Sequence, residues 1–256
     1  MIKTGMVSVT FRQFDVDEVI RRTKEAGLMA IEWGGDVHVP HGDLDKARYT
    51  ADRMRENGLE IASYGSYYRA LEDEKFEDIL ATAKALGAPN IRIWAGEKEP
   101  QDCDREQRAR TVQRIRNAAR MAARENITVS TEYHGGTLTV MLDSAVAMLK
   151  EAEEPNLYTY WQPLGDKPWN EHEGQVIELL RLGKLTNLHV YQWQKYERFP
   201  LEQGEARWET FLRPAAGDAA MHYALLEFVQ DDDPDQFSRD AETLQSICKR
   251  LSHRRF

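Results

Sequence analysis

The chain has 256 residues, 41% of them hydrophobic, with 34 Lys and Arg against 43 Asp and Glu, giving a formal net charge of -9. That length fits one large α/β domain or two small ones, with enough apolar side chain for a substantial core. The acidic balance disfavours nucleic acids and anionic membranes as partners, because their phosphates require a basic footprint.

Two cysteines, Cys103 and Cys248, suggest no disulfide framework and fit a reducing cytosol. The start, MIKTGMVSVTF, shows no leader pattern, and no run approaches the ~20 apolar residues of a membrane span. A cytoplasmic protein is therefore expected.

Short β-rich runs alternate with longer helical runs. Strand one is predicted over Lys3–Phe11, followed by a helix over Val16–Ala26 with Asp15 as N-cap and Gly27 as stop. Strand two covers Leu28–Trp33, with a helix over Asp43–Asn57. Strand three covers Leu59–Tyr64, with a helix over Glu74–Leu86 stopped by Gly87. Strand four, Asn90–Ala95, precedes a long Arg-rich helix over Asp104–Glu125. Strand five, Ile127–Tyr133, precedes a helix over Thr139–Glu151. Strand six is Leu157–Trp161, with a helix near Glu173–Leu182, and strand seven is Leu185–Tyr191, with a short helix over Glu205–Leu212. Strand eight, Tyr223–Val229, leads into a last helix over Asp235–Leu251, and the final HRRF is a frayed tail. Eight βα units in one chain of this size match a closed (β/α)8 TIM barrel, here a single domain over 1–256. A doubly wound open sheet would normally carry a Gly-rich first turn, which FRQFDVDE lacks.

Strand parity agrees with a barrel. Side chains alternate between faces, so Ile127, Val129 and Thr131 share one side of strand five, and Thr128, Ser130, Glu132 and His134 the other. The apolar side packs on helices and the polar side lines the interior. Glu32 and Arg92 become interior charges, and the cost of an unpaired buried charge makes them expected partners.

Four strands end on a residue able to bind a metal: Glu132 in ITVSTEYH, Gln162 in LYTYWQP, His189 in TNLHVYQW and Glu227 in ALLEFVQ. In a parallel barrel these side chains converge at the carboxyl end, where such folds keep their active sites. Two carboxylates, an imidazole and an amide oxygen describe a divalent cation site for Mn2+, Mg2+, Co2+ or Zn2+. The alternative is a pair of interior acids beside a hydrogen-bonded core histidine. Four equivalent positions favour the site.

Aromatics gather at the same end. Trp33, Trp94, Trp161 and Trp193 close strands two, four, six and seven, and Tyr64 and Tyr133 close three and five. Parity turns Trp33 and Trp161 away from the interior unless the strands bulge. Flat rings with polar tips suit a sugar or polyol, which makes Tyr64, Trp94 and Trp193 candidate substrate contacts. His134, two residues beyond Glu132, joins them, as do His38 in the loop after strand two and Lys195 after strand seven. His222 begins strand eight, about 16 Å from Glu227 at ~3.3 Å per residue, and should not join the site. The loop QDDDPDQ after strand eight is strongly acidic, which predicts a non-phosphorylated substrate; Lys195 and Arg198 are its main counterweight.

AGLMAIEWGG around strand two, STEYHGG at strand five, NLHVYQW at strand seven, RFPLEQGEARWETFL after it and ALLEFVQ at strand eight together resemble the xylose isomerase-like barrel superfamily of sugar isomerases and epimerases. The resemblance covers nearly the whole chain. It implies metal ligation by Glu132, His189 and Glu227, with the two glutamates also serving as the acid and base that move a proton through an enediolate. The chain departs from the pattern at Gln162 and Gly165, where an Asp and a His are usual, and at Gln192, where an Asp is usual. An isomerase or epimerase acting on a free sugar or polyol is thus the expectation. The alternatives are a keto-inositol dehydratase-type lyase or a catalytically degenerate sugar-binding barrel. Homo-oligomers are common for such barrels, although no sequence feature marks an interface.

Overall fold

The protein, analysed as a computed structural model, is described over residues 1–164, 168–172, 174–195 and 197–253. Gly165, Glu173 and the last three residues of the HRRF tail lie outside the described residues.

Eight parallel strands close into a barrel. They are β1 (Ile2–Val7), β2 (Ala30–Gly34), β3 (Glu60–Gly65), β4 (Asn90–Ile93), β5 (Thr128–Thr131), β6 (Leu157–Trp161), β7 (Leu185–Val190) and β8 (His222–Leu226). Each pairs with its sequence neighbours, and β8 closes on β1 through Ile2 opposite His222 to Met6 opposite Leu226. The helices are α1 (Val16–Glu25), α2 (Leu44–Glu56), α3 (Phe76–Leu86), α4 (Arg105–Ala123), α5 (Leu142–Ala152), α6 (Gln175–Arg181), α7 (Glu205–Gly217) and α8 (Pro234–His253). The expected (β/α)8 fold is therefore the observed one. Among the described residues, no helix is long and apolar enough to cross a membrane.

The local signals work as their chemistry dictates. Asp15 accepts a hydrogen bond from the Glu18 amide at the start of α1, Asp43 from Lys46 at α2, and Asp104 from Gln107 in a full capping box at α4. Gly87 ends α3 in the left-handed region at φ 75°, a conformation that favours glycine.

Two layers of core follow from strand alternation. The larger lies between barrel and helices and holds Ile31, Ile91, Ile93, Val129, Leu157 and Leu188 with the apolar helix faces. The smaller lies inside the barrel and includes Val7, Ala30, Ala62, Tyr160, Tyr223 and Leu225. Trp33 and Trp161 belong to the outer layer, as parity predicts, even though β2 and β6 each carry a register irregularity. Trp161 packs on Phe211 of α7, with ring centroids 5.0 Å apart.

Several strands are shorter than expected, among them β4, β5 and β8, and three further boundary differences have a clear physical cause. The first strand stops at Val7, and Ser8–Phe11 forms a 3-10 turn over the barrel mouth. There the Ser8 hydroxyl accepts the Gly34 amide, and Thr10 accepts the Phe228 amide. These long-range bonds outweigh the β-propensity of the run. The segment before α5 is a turn, in which Thr139 Oγ1 donates to Glu132 O at 2.5 Å. Helix α7 runs to Gly217 through Pro214, because Leu212, Ala215 and Ala216 are buried and offset the lost backbone hydrogen bond. A small hairpin, Trp193–Gln194 against Glu197–Arg198, was not legible in the sequence.

Asp240, buried in α8, accepts the Leu201 amide at 2.8 Å and the Gln236 side chain at 2.7 Å. Burial still pushes its carboxyl up from the ordinary 3.8 to about 6. Between those values the folded chain keeps a proton that the unfolded chain has lost, so stability falls as pH rises through the window. The contribution is on the order of 3 kcal/mol. Asp240→Asn keeps an acceptor oxygen without the charge. It should raise the thermal midpoint at neutral pH, and the gain should shrink toward zero as pH falls below the ordinary Asp value. Thermal melts of both proteins across that range check this.

Candidate active site

At the carboxyl end of the barrel the four expected ligands meet, all buried. His189 Nδ1 lies 2.9 Å from Gln162 Oε1, 3.4 Å from Glu227 Oε2 and 3.7 Å from Glu132 Oε1. One ligand atom each from Glu132, His189 and Glu227 falls within 4.8 Å of the others. Three oxygens thus crowd one nitrogen. Such a nest is satisfied by a proton on the ring or by a cation at its centre. With Gln162 in place of a carboxylate, the set carries two negative ligands, enough to neutralise a dication. The second ring nitrogen, Nε2, faces Glu32 Oε1 at 3.5 Å. A carboxylate behind the far nitrogen of a ligating histidine is the usual support in metal sites. The residues present therefore fit a divalent cation.

Behind the ligands lies a buried charge network. Arg92 Nε donates to Glu32 Oε1 at 2.6 Å, and its Nη1 donates to Glu132 Oε2. Ser63 Oγ donates to the other Glu32 oxygen at 3.0 Å. Trp94 Nε1 also donates to Glu132 Oε2. Gly65 makes this possible: a Cβ there would lie 2.7 Å from Arg92 Nη2 and 3.0 Å from Glu32 Oε1. Burial opposes every charge in the network, and mutual attraction outweighs it. Arg92 and His189 hold the Glu132 and Glu32 carboxyls well below the ordinary range. Glu227, Glu32 and Glu132 hold the His189 imidazole well above its ordinary value.

Three of the four, Glu132, Gln162 and Glu227, form part of the wall of a cavity of about 760 Å³, with His189 buried behind them. Trp94, His134 and Trp193 line it. His134 stacks on Trp94 with centroids 4.6 Å apart, and its Nδ1 lies 2.6 Å from Gly135 O. A carbonyl only accepts, so Nδ1 carries a proton, and in the neutral ring Nε2 is the nitrogen with the lone pair.

Three expected substrate contacts lie elsewhere. Tyr64 is buried in the outer layer and donates its hydroxyl to Val39 O at 2.9 Å. His38 is buried against Trp33, with Nε2 3.1 Å from Phe14 O. Both sit on the helix side of the strands and do not reach the cavity. Lys195 is exposed on the hairpin turn, away from the wall. His222 is at the opposite end of the barrel, bound to Asp218 and Thr186 O, as its spacing predicts.

Sequence reasoning missed four contributors. Arg92 was legible as an interior charge but not as a ligand clamp. Arg12, Tyr67 and Phe228 line the cavity from loops whose course no local pattern reveals.

The fold and site define a (β/α)8 barrel with a buried Glu/His/Glu cluster able to hold a cation. Residues 20–247 match the family described as xylose isomerase-like TIM barrel, and the chain belongs to that family. It is 22% identical to a 3-dehydroshikimate dehydratase of Bacillus anthracis, over 89% of this chain and 91% of that protein. The crystal structure of the probable 3-DHS dehydratase involved in petrobactin synthesis from the same organism superposes with a TM-score of 0.79 at 18% identity, covering 96% and 99% of the two chains. A Mycobacterium smegmatis barrel protein in complex with magnesium gives 0.74 at 16% identity, covering 98% and 97%. An L-ribulose 3-epimerase gives 0.70 at 17% identity, covering 99% and 96%.

Because the His189 imidazole is held above its ordinary value, a cation at Nδ1 must displace a proton. Mn2+ affinity should rise with pH below the His189 pKa, by about tenfold per pH unit for one proton released. Titration calorimetry in buffers of different ionisation enthalpy checks this: about one proton released per Mn2+ is expected, whereas no proton release would contradict it.

Proposed function

We propose that the protein is a metal-dependent dehydratase acting on a non-phosphorylated, polyhydroxylated carbonyl compound. A bound divalent cation, held by Glu132, Gln162, His189 and Glu227, would polarise the substrate carbonyl and make the adjacent C–H more acidic.

The observation that carries the reading is the state of Glu132. Its Oε2 is engaged by Arg92 and Trp94, and its Oε1 faces Gln162 Nε2 at 3.4 Å and His189. A carboxylate pinned on both oxygens and held strongly ionised suits a ligand and is a poor shuttle for protons. The expected acid–base pair of Glu132 and Glu227 therefore loses one member. His134 supplies the free base instead, with Nδ1–H fixed on Gly135 O and Nε2 open. Epimerisation needs competent groups on two faces of the reacting carbon. Dehydration needs one group that first takes a proton and then returns it. His134 Nε2 removes the proton beside the carbonyl, the C–H electrons form the new C=C bond, and the β C–O bond breaks. The resulting imidazolium protonates the departing hydroxide, and water leaves. Trp94, stacked on the ring and bonded to Glu132, fixes the distance between base and cation site.

The likeness to a 3-dehydroshikimate dehydratase supports this reading. The second reading is a sugar isomerase or epimerase using both glutamates, favoured by the likeness to L-ribulose 3-epimerase.

Product mass after incubation with Mn2+ separates the two. Using 3-dehydroshikimate, 2-keto-myo-inositol and free ketoses, loss of one water from a cyclic ketone is expected. His134→Gln should lower kcat by about 10²–10⁴-fold without changing Mn2+ stoichiometry. Isomers of unchanged mass would overturn the dehydratase in favour of the epimerase.

A further inference from the structure

The cavity mouth carries a pair of donors that the proposed chemistry does not use. Arg12, just beyond the 3-10 turn after β1, lies on the cavity wall. Its Nε donates to Asp36 Oδ2 at 2.6 Å, and its Nη2 donates to the Tyr67 hydroxyl at 3.0 Å. The guanidinium plane is thereby fixed. Its Nη1 makes no hydrogen bond among the described residues. Tyr67 accepts from Arg12, so its own O–H proton remains to be donated, and no acceptor for it is present among the described residues. Burial pushes the phenol up to about 12, which keeps that proton in place.

Two unengaged donors, one of them cationic, stand side by side at the mouth. The backbone holding them is costly. Tyr67 has φ 58°, in the left-handed region that a bulky aromatic residue avoids. Its ring also lies against Arg92, whose Cζ is 5.5 Å from the centroid. A strained residue wedged between two arginines, with its hydroxyl on one of them, is a positioned group.

Charge selects the ligand. Arg92 is neutralised by Glu32 and Glu132, and Arg198 by Asp232. Arg12 is shared with Asp36, so it offers less than one full charge. The Asp36 carboxylate beside Arg12 disfavours a dianion there. A planar monoanion with two oxygens can take one from the free Nη1–H of Arg12 and the other from the O–H of Tyr67, which the Nη2 hydrogen bond holds beside the guanidinium.

We propose that Arg12 and Tyr67 form a carboxylate-recognition subsite, so that the substrate is a polyhydroxylated carbonyl compound bearing a carboxylate. This rests on the dehydratase reading and names its substrate class. The carboxylate binds at the mouth and leaves the carbonyl end to reach the cation site and His134.

The test uses shikimate and its methyl ester, the same polyol ring with and without the charge. Binding of each to the Mn2+-loaded protein is measured by calorimetry for wild type, Arg12→Gln and Tyr67→Phe. Wild type should prefer shikimate by about tenfold or more. Arg12→Gln should abolish the preference while retaining the ester affinity, which also shows that the variant is folded. Tyr67→Phe should reduce it in part. Equal affinity for acid and ester in wild type, a preference that survives Arg12→Gln, or no binding of either at millimolar concentration would overturn the subsite. Failure of the parent reading looks different: carboxylate preference with no water lost from any ketone keeps the subsite and removes the dehydratase. Efficient water loss from 2-keto-myo-inositol, unaffected by Arg12→Gln, keeps the dehydratase and removes the subsite.

Discussion

The site depends on one buried arginine. Arg92 points into the barrel, where an isolated charge would be severely penalised, and it is stable there because Glu32 and Glu132 meet it from two sides. Removing either partner of such a pair typically costs about 3–5 kcal/mol, because it strands the other charge. The pairing is therefore weak evidence for stability and strong evidence for a fixed geometry. It couples β2, β4 and β5 at the level where the chemistry takes place.

The consequences spread through contacts already short enough to leave little freedom. Glu32 stands behind His189 Nε2, so the arginine that holds Glu32 also helps to aim the imidazole at the oxygens of Gln162, Glu132 and Glu227. Glu132 is held from its side chain by Arg92 and Trp94 and from its carbonyl by Thr139. Trp94 then carries His134 on its face. A ligand, a support and a free base are thus arranged around one guanidinium. Gly65 is the residue whose missing side chain lets that guanidinium lie where it does. On this account Gln162 is no simple loss. With Arg92 on one side and a cation on the other, a third carboxylate is not needed to balance the local charge.

Much of this was legible in the sequence because strand alternation and helix caps are local. Parity alone placed Glu32 and Arg92 in the interior and turned Trp33 and Trp161 outward. The recurrence of a polar residue at four strand ends placed the ligands. What was not legible depended on tertiary contacts. Tyr64 and Trp94 both close β-rich runs, yet one faces the helices and the other the cavity: in the observed register Tyr64 pairs with the outward Ile91, whereas Trp94 shares the inward face of Arg92. His38 looked like a loop histidine at the active end, and it packs on Trp33 instead. Arg12 and Tyr67 lie in connections with no periodicity, and their meeting through Asp36 is a product of the closed barrel.

The most direct measurement is the position of the cation. Crystals of the Mn2+-loaded protein, measured for anomalous scattering at the manganese edge, should show one peak bounded by Glu132, Gln162, His189 and Glu227. Arg92 should still be bonded to Glu132 on the side away from the metal. A peak elsewhere, a second metal in the cavity, or Arg92 displaced from Glu132 on loading would contradict the account.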